Sequence, residues 1–322
     1  MILTLTVNPL LEKRLYFDNS EKGAVNRCYK EHFYAGGKGI NVSRQLNKLG
    51  IENLALTFAG GSNGKILRHV LSEEGINFSL VNTKSETRGG TLLLEKESPK
   101  ITSYIGLSSE ITDEEVNDFN KKLDKMIQNA TIVVITGSLP SANTADIFFN
   151  ALNLAAKHDK ITIVDTYGAH LPECIKLSPF AIHNNIQELE TSFKKDLSDD
   201  KKIFELLDEF YSMGVKMSFI SNGDRPFYTT KFDFHYEVTP PKITEKDPLG
   251  SGDAFVAGVA YGLDKNLVYD DIVKTATSLG AINAEKWTTS DVSPEEIDKY
   301  FNQVEVKQIG KKMKLIDDTP NY

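Results

Sequence analysis

Short apolar runs alternate along this chain with amphipathic segments of helical period, and glycine-containing turns lie between many of them. The runs typical of buried strands are Ile2–Val7, Leu54–Phe58, Ile132–Ile135, Ile161–Val164, Phe180–His183 and Met217–Ile220. The helical patterns cover Ile40–Leu49, Lys65–Glu74, Glu114–Gln128, Ala145–Lys157 and Lys202–Met213. This repeated β-α-β order predicts an α/β fold, with a doubly wound, mostly parallel sheet flanked by helices. The ligand cleft of such a sheet lies at the carboxyl ends of its strands.

Two segments depart from this pattern, at residues 12–35 and 87–105, where short polar residues alternate with aromatic or aliphatic ones. The alternation is typical of antiparallel strands, and we expect a small inserted β-sheet that serves as a lid over the cleft or as a subunit contact. Another hairpin is expected over Phe227–Thr230 and Phe234–Val238. The rest divides into an α/β core of residues 1–11, 36–86 and 106–310 and a polar tail of residues 311–322.

Composition excludes several classes of protein. The net charge of −8 over 322 residues argues against a general nucleic-acid binder. No run approaches the roughly 18 apolar residues of a membrane helix, and the first residues lack the basic region of a signal peptide. The cysteines, Cys28 and Cys174, match neither a disulfide framework nor a zinc site. We therefore expect a cytoplasmic protein, large enough for an enzyme cleft, with no nucleic-acid or membrane partner.

The stretch from Asp247 to Gly258 contains the strongest chemical signal. Small residues at Gly250, Ser251 and Gly252 precede a helical pattern, so backbone N–H groups can converge there on an anion or a developing negative charge. The carboxylate of Asp253, at the same turn, is suited to accept a proton from an attacking hydroxyl. The simpler alternative is that Asp253 caps the helix and the glycines form only a tight connection.

A second glycine-rich loop surrounds Lys38 and also leads into a helical pattern. A cation on open backbone is a plausible anion contact, and Asn41, one turn later, can hydrogen-bond hydroxyls. The spacing is not that of a P-loop. A flexible turn with a solvated lysine is the alternative interpretation.

Asn185 and Glu188 follow the apolar run that ends at His183, which predicts a position at the cleft edge. Amide and carboxylate oxygens three residues apart can share a water shell around Mg²⁺, which keeps several waters in proteins. The same spacing is that of a helix capping box, with Glu188 reaching back to Asn185.

Four motifs occur in a fixed order: Thr6-Val7-Asn8-Pro9, Gly36-Gly37-Lys38-Gly39-Ile40-Asn41-Val42, Gly137-Ser138-Leu139-Pro140 and Gly250-Ser251-Gly252-Asp253. Together they resemble those of the PfkB/ribokinase family of ATP-dependent carbohydrate kinases. Within that family the chain looks most like the branch of 1-phosphofructokinases and tagatose-6-phosphate kinases. The resemblance extends from Met1 to about Val304.

The resemblance implies a ribokinase-like core with a β-sheet lid that commonly forms a homodimer. It implies transfer of the γ-phosphoryl group of ATP, with Mg²⁺, to a hydroxyl of a ketohexose monophosphate such as fructose 1-phosphate or tagatose 6-phosphate. Asp253 would be the general base, and the amides of Gly250, Ser251 and Gly252 would form the anion hole. The implied substrate-binding residues are Glu12, Arg27, Gly37, Lys38, Asn41, Arg88 and Ser138. The implied nucleotide-binding residues are Asn185, Glu188, Ser221, Gly223, Gly280 and Asn283, of which Asn185 and Glu188 would hold magnesium through water.

Several positions depart from the family pattern. Glu12 stands where the family usually has Asp, and Pro248 and Leu249 replace small hydroxyl-bearing residues. His183-Asn184-Asn185 replaces the usual Lys-Pro-Asn, and residues 102–106 lack the Asn-Glu-Pro-Gly run of this branch. The catalytic motif is thus kept, whereas the sugar-facing lid has changed.

Two other functions remain open from the sequence. The first is a kinase of the same fold that acts on an unphosphorylated sugar or a nucleoside; Lys38 and Arg88 favour a phosphorylated acceptor instead. The second is a non-catalytic sugar-phosphate sensor, against which the retained Asp253 counts, because a pure binder needs no base there.

Overall fold

The computed structural model describes residues 1–96 and 101–310, which form two β-sheets and their flanking helices. The strands are β1 (Ile2–Thr6), β2 (Leu10–Phe17), β3 (Lys30–Gly36), β4 (Asn53–Gly60), β5 (Phe78–Thr83), β6 (Gly89–Glu95), β7 (Ile101–Ile105), β8 (Ile132–Thr136), β9 (Ile161–Asp165), β10 (Ala181–Asn185), β11 (Met217–Ser221), β12 (Phe227–Lys231), β13 (Phe234–Thr239) and β14 (Glu305–Ile309). The helices are α1 (Lys38–Lys48), α2 (Gly61–Glu73), α3 (Asp113–Asn129), α4 (Ala145–Lys157), α5 (Leu171–Lys176), α6 (Ile186–Phe193), α7 (Asp200–Ser212), α8 (Ser251–Asp264), α9 (Tyr269–Ala284) and α10 (Asp298–Phe301). Each apolar run and helical pattern predicted from the sequence coincides with one of these elements to within a few residues.

The larger sheet has ten strands in the order β14-β13-β12-β11-β10-β9-β8-β1-β4-β5. In this sheet β5, β4, β1, β8, β9, β10 and β11 are parallel to one another. Strands β12, β13 and β14 extend it as an antiparallel edge. From β1 the chain first adds β4 and β5 on one side and later β8 to β11 on the other. The strand order therefore reverses beside β1, and a crevice opens there at the carboxyl ends of the strands.

Two apolar clusters cover the two faces of this sheet. Leu3 and Leu5 of β1 pack on the face covered by α3 to α7, where Phe119 is one of the fully buried residues. Ile2, the neighbour of Leu3, packs on the opposite face with α1, α8 and α9, where Val256 is buried. Successive strand residues thus point to opposite layers, which is why the parallel strands read as continuous apolar runs.

The smaller sheet has the order β3-β2-β6-β7 and comes from the two segments predicted to form an inserted sheet. Its β2–β3 and β6–β7 pairs are antiparallel as expected, but β2 and β6 are parallel neighbours. On β2, the alternate residues Leu10, Glu12 and Arg14 line the crevice, so one face of this sheet forms a wall of it.

Other local predictions are also confirmed by the structure. The hairpin of β12 and β13 is present. The capping box at Thr112 begins α3, and a second one at Ser293 begins a short 3₁₀ turn. The predicted polar tail at residues 311–322 lies outside the described residues. Among the residues that are described, no helix combines the length and apolar character needed to cross a membrane.

Candidate active site

A cavity of about 590 Å³ lies between the carboxyl ends of the central strands and the inner face of the small sheet. Parallel strands bring their ends to one edge, so residues that follow β1, β8, β9, β10 and β11 meet there. The predicted site residues that line it are Glu12, Gly37, Lys38, Asn41, Arg88, Ser138, Asn185, Glu188, Ser221, Gly223, Gly250, Ser251, Gly252, Asp253 and Gly280.

The glycine turn before α8 is held by its left-handed backbone. Gly250 has φ = 78° and is the N-cap of α8, with no side-chain cap bond. A Cβ at Gly250 would lie 2.1 Å from Cγ2 of Thr289, so only glycine fits. Ser251 N–H donates to Pro248 O at 3.1 Å, whereas in the described chain the N–H groups of Gly250 and Gly252 have no protein partner. Of the three amides predicted to form the anion hole, those of the two glycines are therefore left for an anion, and in the described chain the N–H of Asp253 also has no protein partner.

Asp253 lies in the first turn of α8, is 5% exposed and lines the cavity. Its Oδ2 accepts a 2.7 Å hydrogen bond from Asn41 Nδ2, while Asn41 Oδ1 accepts one from Arg44 Nη1. A guanidinium can only donate, so Arg44 fixes the amide of Asn41 with its NH₂ group facing Asp253. Asp253 therefore does not act as a helix cap, and Asn41, predicted for sugar hydroxyls, orients this carboxylate.

Burial raises the pKa of Asp253 to about 6, because a charged carboxylate loses its hydration there. The nearby ammonium of Lys38 lowers that pKa, the negative charge of Asp165 raises it, and the bond from Asn41 lowers it. A carboxyl group with a pKa close to neutrality is better suited to exchange a proton with a hydroxyl than an ordinary aspartate.

Lys38 is not a free cation. Its Nζ lies 2.9 Å from Asp165 Oδ1 and 3.0 Å from Glu188 Oε1. Burial opposes its charge, but Asp165 and Glu188 outweigh that effect and raise the pKa of Lys38. The same pairing keeps the pKa of Asp165 low against full burial. Lys38 therefore stays protonated, and its positive charge is already compensated by the carboxylates of Asp165 and Glu188.

Asn185 and Glu188 form a complete capping box at the start of α6, as one of the two interpretations predicted. Asn185 Oδ1 accepts Glu188 N–H at 2.9 Å, and Glu188 Oε2 accepts Asn185 N–H at 3.1 Å. Both residues also line the cavity, and the other oxygen of Glu188 faces Lys38. The capping role does not compete with a ligand role, because each oxygen has a second lone pair.

Arg88 also lines the cavity. Its Nε donates to Pro9 O at 3.2 Å and its Nη2 to Asn8 O at 2.9 Å. Partial burial lowers the pKa of Arg88, and in the described chain no carboxylate lies within ion-pair distance of it. Ser138, at the end of β8, accepts a 3.1 Å hydrogen bond from Asn8 Nδ2.

Ser221, Gly223 and Gly280 line the cavity together with a set of apolar residues. The apolar lining there consists of Phe227, Pro240, Pro241, Ile243, Leu249, Ala281 and Ala284. A patch of this kind beside open backbone suits a flat aromatic group.

Two predicted residues do not line the cavity. Arg27 is exposed on the loop between β2 and β3, whose turn is closed by hydrogen bonds between Asn26 and Glu21. Asn283 is 1% exposed. Its Nδ2 donates to Leu249 O and Ser251 Oγ, so it supports the glycine turn.

The residues of the site that were not predicted from the sequence include Asp165 and Arg14. Asp165 ends β9 and holds Lys38; its position at the end of an apolar strand was an available signal. Arg14 extends from β2 to the loops around Asp247 and Thr289, contacts of a range that no local pattern reveals.

Comparison with known proteins gives a consistent result. Residues 10–296 match the model of the pfkB family of carbohydrate kinases. The tagatose-6-phosphate kinase of Staphylococcus epidermidis is 28% identical over 312 residues, covering 96% of this chain and all of that one. The 1-phosphofructokinase of Borreliella burgdorferi is 29% identical over 310 residues, covering 96% of this chain and 99% of that one.

Solved structures share the fold. A Thermotoga maritima protein described as a possible 1-phosphofructokinase aligns with a TM-score of 0.88 at 23% identity, over 96% of this chain and 99% of that one. The tetrameric inhibited form of Escherichia coli phosphofructokinase-2 aligns with a TM-score of 0.85 at 23% identity, over 94% and 98%.

The raised pKa of Asp253 predicts that Asp253→Asn stabilises the fold at neutral and higher pH. The folded protein keeps a proton on Asp253 up to a pH of about 6, whereas the ordinary pKa is 3.8. The wild type therefore gains stability from this group as the pH falls from 7 towards 4. The variant should be more stable by about 3 kcal/mol above pH 7, and most of the difference should be lost by pH 4.

Urea unfolding of both proteins between pH 4 and 8 measures this difference. Asp118→Asn on the exposed face of α3 is the control and should change stability by only a few tenths of a kcal/mol, about the size expected for a surface pair. An Asp253→Asn protein that is less stable than the wild type at pH 8 would show that the charged form is favoured there.

Proposed function

The chain belongs to the pfkB family of carbohydrate kinases, and from this we propose that it transfers the γ-phosphoryl group of ATP to a hydroxyl of a ketohexose monophosphate. Fructose 1-phosphate and tagatose 6-phosphate are the leading acceptors, in line with the activities of its named relatives. The observation that carries the proposal is the buried Asp253 beside the free glycine amides, in the same cavity as the unpaired Arg88.

Asp253 is the proposed general base. Its carboxylate accepts the proton of the attacking hydroxyl as the oxygen–phosphorus bond forms and the bond between the γ-phosphorus and the bridging oxygen of ATP breaks. The hydrogen bond from Asn41 fixes one oxygen of Asp253 and leaves the other for the hydroxyl.

The glycine turn supplies the proposed anion hole. The N–H groups of Gly250 and Gly252 stand at the N-terminus of α8, which carries a partial positive charge. These donors are fixed before the reaction, so they stabilise the developing charge of the transferred group without reorganising. Lys38, at the start of α1, compensates the carboxylates of Asp165 and Glu188 beside this site.

Mg²⁺ fits the oxygen donors present. Asp165 Oδ2 is buried with no hydrogen-bond partner, and Asn185 and Glu188 line the cavity close by. Among the described residues no three acidic, histidine or cysteine side chains form a tight cluster, in agreement with an ion that keeps several waters. Bound Mg²⁺ would neutralise phosphate charge that Lys38, already paired with two carboxylates, does not.

Arg88 is the proposed contact for the phosphate that the acceptor already carries. The other cavity-lining cations of the described chain, Arg14, Lys38 and Arg44, are each paired with a carboxylate. Arg88 is bonded only to backbone carbonyls, and a guanidinium binds phosphate oxygens with geometric fit. Ser138 and Glu12 would complete this end, on the phosphate and on the sugar hydroxyls.

ATP occupies the other end in this proposal. Its base fits the apolar patch beside Ser221, Gly223 and Gly280, and its phosphates extend towards the turn at Gly250. The two substrates then meet at Asp253, which lies between the ends of the cavity.

We also propose a homodimer formed through the small sheet. Several apolar side chains are exposed on β7 and on loops next to the sheet: Val25, Tyr29, Tyr104, Ile105 and Leu107. Several exposed apolar side chains together at the edge of a sheet favour association with a second copy of the chain.

An acceptor screen tests the phosphotransferase. The wild type with ATP and Mg²⁺ should release ADP with one or more ketohexose monophosphates. Asp253→Asn should lower kcat by about 100-fold or more, because it removes the base but keeps the bond to Asn41. No turnover on any phosphorylated or free sugar would refute the proposal, and normal kcat in Asp253→Asn would refute the role of the base.

Arg88→Met tests whether the acceptor carries phosphate. Loss of charge-assisted hydrogen bonds should raise KM for a sugar phosphate by about 10- to 100-fold, with KM for ATP unchanged. Arg68→Met on the exposed side of α2 is the matched control and should change neither constant. An unchanged acceptor KM in Arg88→Met would favour a kinase for an unphosphorylated sugar or a nucleoside.

Leu107→Asp tests the dimer. Leu107 is 94% exposed in the single chain, so the change should leave the fold intact but place a charge in the proposed interface. Analytical ultracentrifugation should show a dimer for the wild type and a monomer for Leu107→Asp. Val268→Asp, at an exposed position before α9, should remain dimeric. A monomeric wild type at micromolar concentration would contradict the proposal.

A further inference from the structure

Arg14 is buried between the small sheet and two loops of the core. It is 1% exposed, one of the largest fully buried side chains of the described chain, and its guanidinium packs on the ring of Tyr34 at 4.8 Å. A guanidinium is removed from water only where its N–H groups find partners. The partners of Arg14 lie on both sides of the boundary between sheet and core.

The guanidinium has one partner on its own strand and the others in the core. Nε donates to Glu12 on β2. Nη1 donates to the carbonyl of Trp287 and lies 3.7 Å from Asp247 Oδ2, while Nη2 donates to Thr289 Oγ1 at 2.6 Å. Arg14 thus ties the small sheet to the two loops that border the start of α8.

Both of these loops act directly on the glycine turn. Asp247 Oδ1 accepts the N–H of Leu249 at 2.9 Å, which fixes the entry to the turn. Thr289 presents its methyl group to Gly250, where it would meet any Cβ at 2.1 Å. Arg14 therefore contacts both Asp247 and Thr289, the residues that hold the turn.

The charges strengthen this connection. Asp247 is 1% exposed and burial raises its pKa to about 6, an effect that the positive charge of Arg14 partly offsets. If Arg14 were neutral, a buried carboxylate would lose its cationic partner, which is strongly unfavourable. The turn is thus held in place by a buried charge that comes from another sheet.

We propose that Arg14 is a positioning residue that holds the glycine turn at residues 247–252 in fixed register with the acceptor-facing residue Glu12. The inference rests on the proposed phosphotransferase, in which the amides of Gly250 and Gly252 receive the developing charge. In this proposal Arg14 acts without contacting the substrate, because its N–H groups are bonded within the protein. It acts through Asp247 and Thr289, and a displacement of the turn by about 1 Å would cost about 100-fold in rate.

The test measures the turn and the reaction separately, in folded protein. In Arg14→Met, hydrogen–deuterium exchange at residues 249–253 should speed up at least about 10-fold, and kcat should fall by about 100-fold while KM for ATP changes little. Arg14→Lys keeps the charge but cannot reach all partners, so an intermediate kcat is expected. Lys13→Met, on the exposed side of the same strand, should leave both measurements unchanged.

A double-mutant cycle separates positioning from general loss of stability. Thr289→Val removes the acceptor of the Arg14 hydrogen bond but keeps the methyl group against Gly250. If Arg14 acts through Thr289, the double variant should have nearly the kcat of Arg14→Met alone. Independent, multiplying effects, unchanged exchange in folded Arg14→Met, or a lower melting temperature with normal kcat would each overturn the proposal.

The exchange measurement needs no activity. If the wild type phosphorylates no sugar, the proposed function fails, while faster exchange at the turn in Arg14→Met would still support the structural role of Arg14. If the wild type is active and Arg14→Met exchanges like the wild type, only the inference on Arg14 fails.

Discussion

The cleft is organised around carboxylates that have been removed from water. Asp165 is fully buried and Asp253 almost so, and each would lower the stability of the fold if it had no cation or N–H donor beside it. Lys38 serves both, by direct contact with Asp165 and by its field at Asp253. Because these groups come from α1, β9 and α8, their interactions also determine how the layers of the core meet.

The pairing of cations with carboxylates also explains which cation of the cavity is left to bind a ligand. Arg14, Lys38 and Arg44 are needed to compensate carboxylates of the protein itself, so they serve to assemble the site. Arg88 is half-buried and bonded to backbone carbonyls, which hold the guanidinium in place without neutralising it. In the proposed function, Arg88 selects a ligand by charge and the apolar lining selects one by shape.

Much of the fold and part of the site could be predicted from the sequence. The alternation of apolar runs and helical patterns predicts the parallel sheet because burial on both faces requires such runs. The turn at Gly250 was also predictable from the local sequence, since the glycine and the helix start are adjacent in the chain. The contacts of Arg14 were not, because Trp287 and Thr289 lie more than two hundred residues away and no local pattern encodes them.

Position in sequence also fails to say which way a side chain points. Asn283 and Gly280 lie on the same helix, α9. Gly280 lines the cavity, whereas Asn283 bonds to the glycine turn that precedes α8. Arg27 was predicted to bind the substrate, but it is exposed on the loop between β2 and β3 and does not line the cavity. The parallel pairing of β2 and β6 was missed because alternation is the same in parallel and antiparallel neighbours.

The departures before the glycine turn now have a physical consequence. Pro248 has no N–H group, and the N–H of Leu249 is used by Asp247, so neither can donate to an anion. The N–H of Ser251 is used by Pro248 O, which in the described chain leaves the amides of Gly250, Gly252 and Asp253. A turn with so few free donors depends more on exact placement than one with many. The buried contacts of Arg14 and Asn283 with that turn and its neighbours supply this placement.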